Sequence, residues 1–201
     1  MDEFDGIDRY VLKSLRRSGD GLNTIAVRAK GVPSSEHGGE GAPQAPSIAG
    51  IGSSRIKRVL DYWVEQRAER RFPSWSDISL MDLYDVAPFV AVLDVENGAG
   101  DPEETRFRYR FCGTWLVEGR SAMSPADPTG RCIDEVPWPF EPMPLIAACS
   151  RVATLKMPVM LAAGMVDEYS YKRRERGFFP LGPDDGQVTQ ILACIDQVEQ
   201  A

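Results

Sequence analysis

Hydrophobic positions along the chain follow one period and then another, and each change of period marks a change of element. Between residues 55 and 71, Ile56, Val59, Leu60, Trp63 and Val64 recur at i, i+3, i+4, i+7 and i+8, the stripe of a helix packed against something larger. The same segment carries Arg55, Lys57, Arg58, Arg67, Arg70 and Arg71 interleaved with Asp61, Glu65 and Glu69. That mixture predicts a solvated face laced with ion pairs rather than a nucleic-acid contact. FPSWSDISLMDL then supplies a proline break, a cap at Ser76 or Asp77, and a second short helix. VAVLDVE, 90–96, reads as a strand, and NGAGDPEE as the connection leaving it. In the stretch that follows, Thr105, Phe107, Tyr109 and Phe111 alternate with Arg106, Arg108 and Arg110. Successive strand side chains point to opposite faces, so the aromatic set is predicted to face a core and the arginines water or a partner.

Gly113 and Thr114 suit a tight exit from that strand and a helix cap. ADPTGRCIDEVPWPF holds too many turn formers for more than loops and short helical pieces, and Leu145, Ala148, Cys149 and Val152 restore helical spacing after the PMP that marks its start. Three strands close the chain: PVMLAAGM (158–165), EYSYKRRERGFF (168–179) and QVTQILACID (187–196), the last two joined by the hairpin connection PLGPDDG. Helices, two strands, a helical crossover and three strands make an α+β fold, a five-stranded sheet with helices gathered on one face.

Ahead of this unit, Phe4, Ile7, Val11 and Leu15 form one stripe, with Lys13, Arg16 and Arg17 largely off it. Residues 1–30 are therefore expected to contain an amphipathic helix that docks on the core or on a second subunit, with a partner-binding or membrane-surface helix as the alternative. Residues 31–54, GVPSSEHGGEGAPQAPSIAGIGSS, read as a flexible Gly/Pro/Ser linker. The folded unit is then 55–196, with a helical lead-in over 55–88.

The totals narrow the function. With 201 residues, 43% of them hydrophobic, one core is expected, and a net charge of −7 disfavours general nucleic-acid binding. There is no uninterrupted apolar run of about 18 residues, and the acidic start MDEFDGIDRY lacks the features of a signal peptide, so a cytoplasmic protein without a membrane span is expected. Cys112, Cys132, Cys149 and Cys194 show no CxxC spacing and read as buried thiols. The only histidine, His37, sits in SSEHGGEG, which argues against a histidine triad, a multi-histidine zinc centre or a histidine-held haem in the core. No catalytic residue and no metal ligand is assigned. An enzyme reading survives as an α+β cone-shaped isomerase or hydratase, which would need Asp94 buried beside Tyr109 with a raised pKa.

Five segments in order, LDYWVEQRAERRFPSWSDISLMDL, FRYRFCGTWLVE, TGRCIDEV, PVM and PLGPDDGQV, spread over residues 55–195, resemble the short proteobacterial PAS-like proteins that carry a helical lead-in. GRSAMSPADP, between WLVE and TGR, departs from that pattern, being longer and richer in proline. The resemblance implies a sensory or protein-interaction module: helices cup one face of a five-stranded antiparallel sheet, leave room for a small ligand, and the other face docks a second subunit or an output helix. Carried onto this chain, it lets Phe107, Tyr109 and Phe111 face the interior, with Trp115, Leu116, Ile133, Ile146 and Cys149 on the covering helices, as a ligand-binding wall. The alternative is that these side chains simply fill the core. The cofactor is left unknown; FCGTWLVE does not match the segment of flavin sensors that form a cysteinyl adduct. Expected partners are a second copy in a homodimer, a signalling protein, or a small apolar ligand.

Overall fold

A computed structural model describes residues 22–26, 51–96, 105–118, 127–137, 142–167, 170–183 and 186–199. Its first helix, α1 (Ser54–Arg67), buries the predicted stripe of Ile56, Val59, Leu60 and Trp63, together with Tyr62 and Arg67. Ser53 is the N-cap, and its Oγ accepts a hydrogen bond from the Ile56 amide at 3.1 Å. The short helix expected after a cap at Ser76 or Asp77 does not form. A single 3-10 turn, Trp75–Asp77, takes its place, and the cap is Ser74: its amide and its hydroxyl each donate to Asp77 Oδ2 at 2.7 Å. Asp77 is thus the third residue of the turn, not its cap. A run of i→i+3 bonds continues the path, from Asp82 to Ser79 and from Val86 to Leu83. Buried Ile78, Leu83 and Val86 do not share one helical stripe, so tight turns bury them where a regular helix would expose some.

The sheet contains the expected five strands, β2 (Val90–Glu96), β3 (Arg106–Cys112), β4 (Val159–Asp167), β5 (Ser170–Leu181) and β6 (Gln190–Glu199), all pairing antiparallel. A sixth, β1 (Leu22–Ala26), adds to the edge of β4, giving the order β1-β4-β5-β6-β2-β3. Residues 22–26 therefore depart from the amphipathic helix expected over 1–30. An unpaired sheet edge offers its backbone groups to any extended segment, and LNTIA takes them. The rest of that expected helix and the linker up to residue 50 lie outside the described residues, as does GRSAMSP.

Two further helices follow β3. The one-turn α2 (Thr114–Glu118) starts at Gly113, whose carbonyl accepts from Leu116 at 3.0 Å, and α3 (Met143–Leu155) buries Leu145, Ala148, Cys149 and Val152 as their spacing predicts.

Helices cover this sheet as expected, and the lead-in helix takes a face of its own. Register assigns Gly177, Phe179, Leu192, Cys194, Val90 and Val92 to a single face, and α1 lies on it. Trp63 donates through Nε1 to the Pro180 carbonyl at 2.8 Å, its ring sits 6.3 Å from that of Phe179, and a Cβ on Gly177 would come within 3.0 Å of Ile56. The helix can approach this closely because residue 177 has no side chain. Val159, Leu161, Phe178, Ile191 and Leu93 belong to the other face and are buried too, with α3 running along β4 and β5. We call these the lead-in face and the crossover face.

Two substitutions test this construction. A Cβ on Gly113 would lie 2.3 Å from the Ala87 carbonyl oxygen and 2.4 Å from that of Pro88. Gly113→Ala should therefore cost about 2–4 kcal/mol in urea unfolding, and a loss below about 0.5 kcal/mol would contradict the packing of α2 against the 87–89 turn. Ser53→Ala should cost about 1–2 kcal/mol in the same assay, while exposed Ser76→Ala stays within about 0.5 kcal/mol; equal effects would rule out Ser53 as the anchor of α1.

Candidate functional site

The crossover face carries two cations where an apolar core would be expected. Along β5, Arg174, Arg176 and Phe178 share this face, and Glu175, Gly177 and Phe179 take the other. Burial lowers the pKa of both guanidinium groups, and that of Arg176 is pushed down to about 10, with the neighbouring Arg174 charge adding to the effect. Arg174 Nε is buried and has no hydrogen-bond partner. Tyr109 of β3, on the same face by register, acts in favour of the Arg176 charge. Arg176 keeps part of its surface accessible although protein atoms surround it closely. Arg174 and Arg176 are thus half-buried charges on a face whose other described side chains are largely apolar.

Among the residues assigned to the ligand-binding wall, Phe107 and Tyr109 are buried on this face. Phe111 is not with them. Ala91 pairs with Cys112 and Leu93 with Tyr109, so two steps on β2 match three on β3, and the bulge moves Phe111 opposite Val92 on the lead-in face. Cys112 takes the inward place instead. Trp115 is partly buried, but its ring stacks 4.8 Å from Phe89, and Arg55 of α1 lies 3.9 Å over the Phe89 ring. It therefore belongs to a stack that ties α2 to the lead-in helix. Leu116 is buried on α2, Ile133 is buried in the 3-10 turn Ile133–Glu135, Ile146 is half-buried, and Cys149 is fully buried on α3. Burial drives the Cys149 thiol far above the ordinary range and that of Cys194 up to about 12, and all four cysteines are free and buried. The Asp94–Tyr109 pair required by the enzyme reading is not formed: Asp94 faces the lead-in side, is 25% exposed, and accepts from Arg110 Nε at 2.8 Å.

Sequence reasoning missed two acids. Glu175 and Asp196 face each other across β5 and β6 on the lead-in face, and both are buried. Glu175 accepts from the Gly52 amide at 3.1 Å and the Ser53 amide at 2.8 Å; Asp196 accepts from Ser53 Oγ at 2.8 Å and Arg55 at 2.7 Å. Amides at and before a helix start lack partners within the helix, and carboxylates satisfy them while favouring the positive end of the helix dipole. The arginines of β5 were missed as well, although the signal was present: period-two alternation in KRRERGFF puts Arg174 and Arg176 on the same face as Phe178.

The arginines of β3 neither stand alone nor await a second subunit. Arg106 pairs with Asp134 at 2.9 Å and Glu135 at 2.7 Å, Arg108 makes a two-pronged pair with Glu96 and donates to the Gly130 carbonyl, and Arg110 holds Asp94. Hydrogen bonds from Arg108 hold the Glu96 carboxyl below its ordinary range, and the Cys132 amide followed by Arg106 does the same for Glu135.

Among the described residues, no cluster of three His, Cys, Asp or Glu side chains is arranged to hold a metal ion, and no helix is long and apolar enough to cross a membrane. Fold and site together define an α+β domain whose antiparallel sheet is covered on both sides and carries a cationic pair on one of them. Comparison with protein-family models, curated proteins and solved structures returns no match for this chain.

The β3 ion pairs predict an acid-side response. Carboxyls with folded-state pKa values below the ordinary 4.5 contribute stability that is complete above that value and lost as pH falls through the folded one. Urea unfolding between pH 7 and pH 3 should therefore show a steeper loss for the natural chain than for Arg106→Met/Arg108→Met. Parallel curves would mean that these pairs contribute nothing to folding.

Proposed function

We propose that this chain is a non-enzymatic PAS-like sensory module, one that holds a small ligand on the crossover face and signals through contacts with a second copy or another signalling protein. The observation that carries the reading is the cationic pair: Arg174 and Arg176 stand half-buried on the crossover face beside buried Phe178, where a solid core would be apolar. The layout agrees with what the resemblance implies, since five antiparallel strands with a helical crossover after the second are present. The lead-in face differs from the docking surface implied by the resemblance, because α1 already occupies it. Partner contacts are then assigned to the lead-in segment itself, which leaves Met81 79% and Tyr84 75% exposed. The setting proposed for this module is the cytoplasm, where four free thiols stay reduced.

Native mass spectrometry of the protein purified from cells tests the reading. A retained small mass that leaves on denaturation is expected, and the same ligand added back at about 100 times its Kd should stabilise the fold by about 2.7 kcal/mol. A clean apo mass, with no thermal shift from any member of a metabolite library, would overturn it.

A further inference from the structure

We infer that Arg174 and Arg176 form the anion-binding end of the ligand site, and that the ligand is a small organic acid whose carboxylate they hold and whose body is apolar. This rests on the reading that the crossover face holds a ligand. The pair is created by strand geometry: Arg174 lies opposite Gln197, and Arg176 opposite Leu161 and Ile195, so both emerge on one face a single pleat apart.

The acid between them cannot neutralise them. Glu175 points to the lead-in face, where its oxygens accept from the Gly52 and Ser53 amides. Among the described residues no ion pair includes Arg174 or Arg176, and Arg174 Nε is buried with its proton unpaired. Two like charges side by side and partly removed from water are costly unless an anion joins them. Burial lowers the pKa of both guanidinium groups, and an anion held between them would offset that cost.

A carboxylate fits the remaining chemistry. Each guanidinium presents parallel N–H donors at the spacing of two carboxylate oxygens. Tyr109, paired with Leu93, adds a further polar group on the same face. The rest of the face is supplied by Phe107, Leu93, Ile191 and Phe178, all buried and apolar. A phosphate dianion is strongly hydrated and would find little around it beyond the two arginines, whereas an acid with an alkyl or phenyl body has its apolar part matched as well.

The experiment is calorimetric titration of the full chain, freed of retained small molecules, with carboxylates of four to ten carbons, straight-chain and phenyl-substituted. Each is paired with the alcohol of the same skeleton, and inorganic phosphate is titrated alone. The best carboxylate should bind about tenfold or more tightly than its alcohol. Arg174→Met/Arg176→Met should bring that preference below about twofold while leaving alcohol binding in place, and the unliganded Arg176→Met protein should melt at or above the natural temperature, because a half-buried cation with no ion pair among the described residues has been removed. Equal binding of acids and alcohols would leave the ligand reading standing and overturn the carboxylate assignment. Binding of neither would overturn both. Phosphate binding as tightly as any carboxylate would overturn the apolar body, and a fall of more than about 5 °C in the melting temperature of Arg176→Met would mark the guanidinium as structurally paired and overturn the anion site.

Discussion

Two carboxylates removed from water hold the start of α1 onto the sheet, and the arrangement of the lead-in face depends on them. Glu175 and Asp196 sit opposite each other on neighbouring strands, where like charges would repel. Their donors include the amides of Gly52 and Ser53, the Ser53 hydroxyl, the Arg55 guanidinium and the Gln197 amide. Neither side tolerates the absence of the other, since buried acids without donors and a helix start without acceptors are each costly. With the first turn fixed, Ile56 reaches Gly177 and Trp63 reaches Phe179 and the Pro180 carbonyl. Arg55 does two jobs, since its guanidinium also covers Phe89 and so reaches the Phe89–Trp115 stack.

The bulge in β3 is the second constraint. A regular strand would have placed Phe107, Tyr109 and Phe111 in one row and left Arg110 beside Arg108. The extra residue brings Arg110 out to Asp94, with its guanidinium 5.8 Å over the Trp75 ring, and turns Cys112 inward. Beyond the bulge the chain meets Gly113, the residue type that admits the 87–89 turn at such short range. One inserted residue thus decides which aromatic side chains belong to the crossover face.

Legibility in the sequence followed periodicity. The stripe of α1, the five strands, the crossover helix and its buried residues were readable because each repeats at the spacing of its element over several turns or pleats. What could not be read depended on partners distant in sequence or on local irregularity. The register shift at Val92/Leu93 leaves no mark in a strand composed of alternating residues. The pairing of Ser53 with Asp196 spans 143 positions, and without the fold nothing joins a serine in a glycine-rich stretch to an acid near the last strand's end. The ion partners of the β3 arginines come from β2 and from the Ile133–Glu135 turn, neighbours made by topology. Of the candidate wall, simple alternation puts Phe107 and Tyr109 on one face, whereas an aromatic on a short helix gives no hint that Trp115 will stack on Phe89.

Three consecutive residues of β5 connect the two sides of the molecule. Arg174 and Arg176 project into the crossover side, and Glu175, on the backbone between them, grips the beginning of α1. The strand is one pleat deep, so motion of this segment along the sheet normal that advances the guanidinium groups withdraws the carboxylate from Gly52 and Ser53 by the same amount. A single tripeptide thus carries a cationic pair on one side of the sheet and the anchor of a helix on the other.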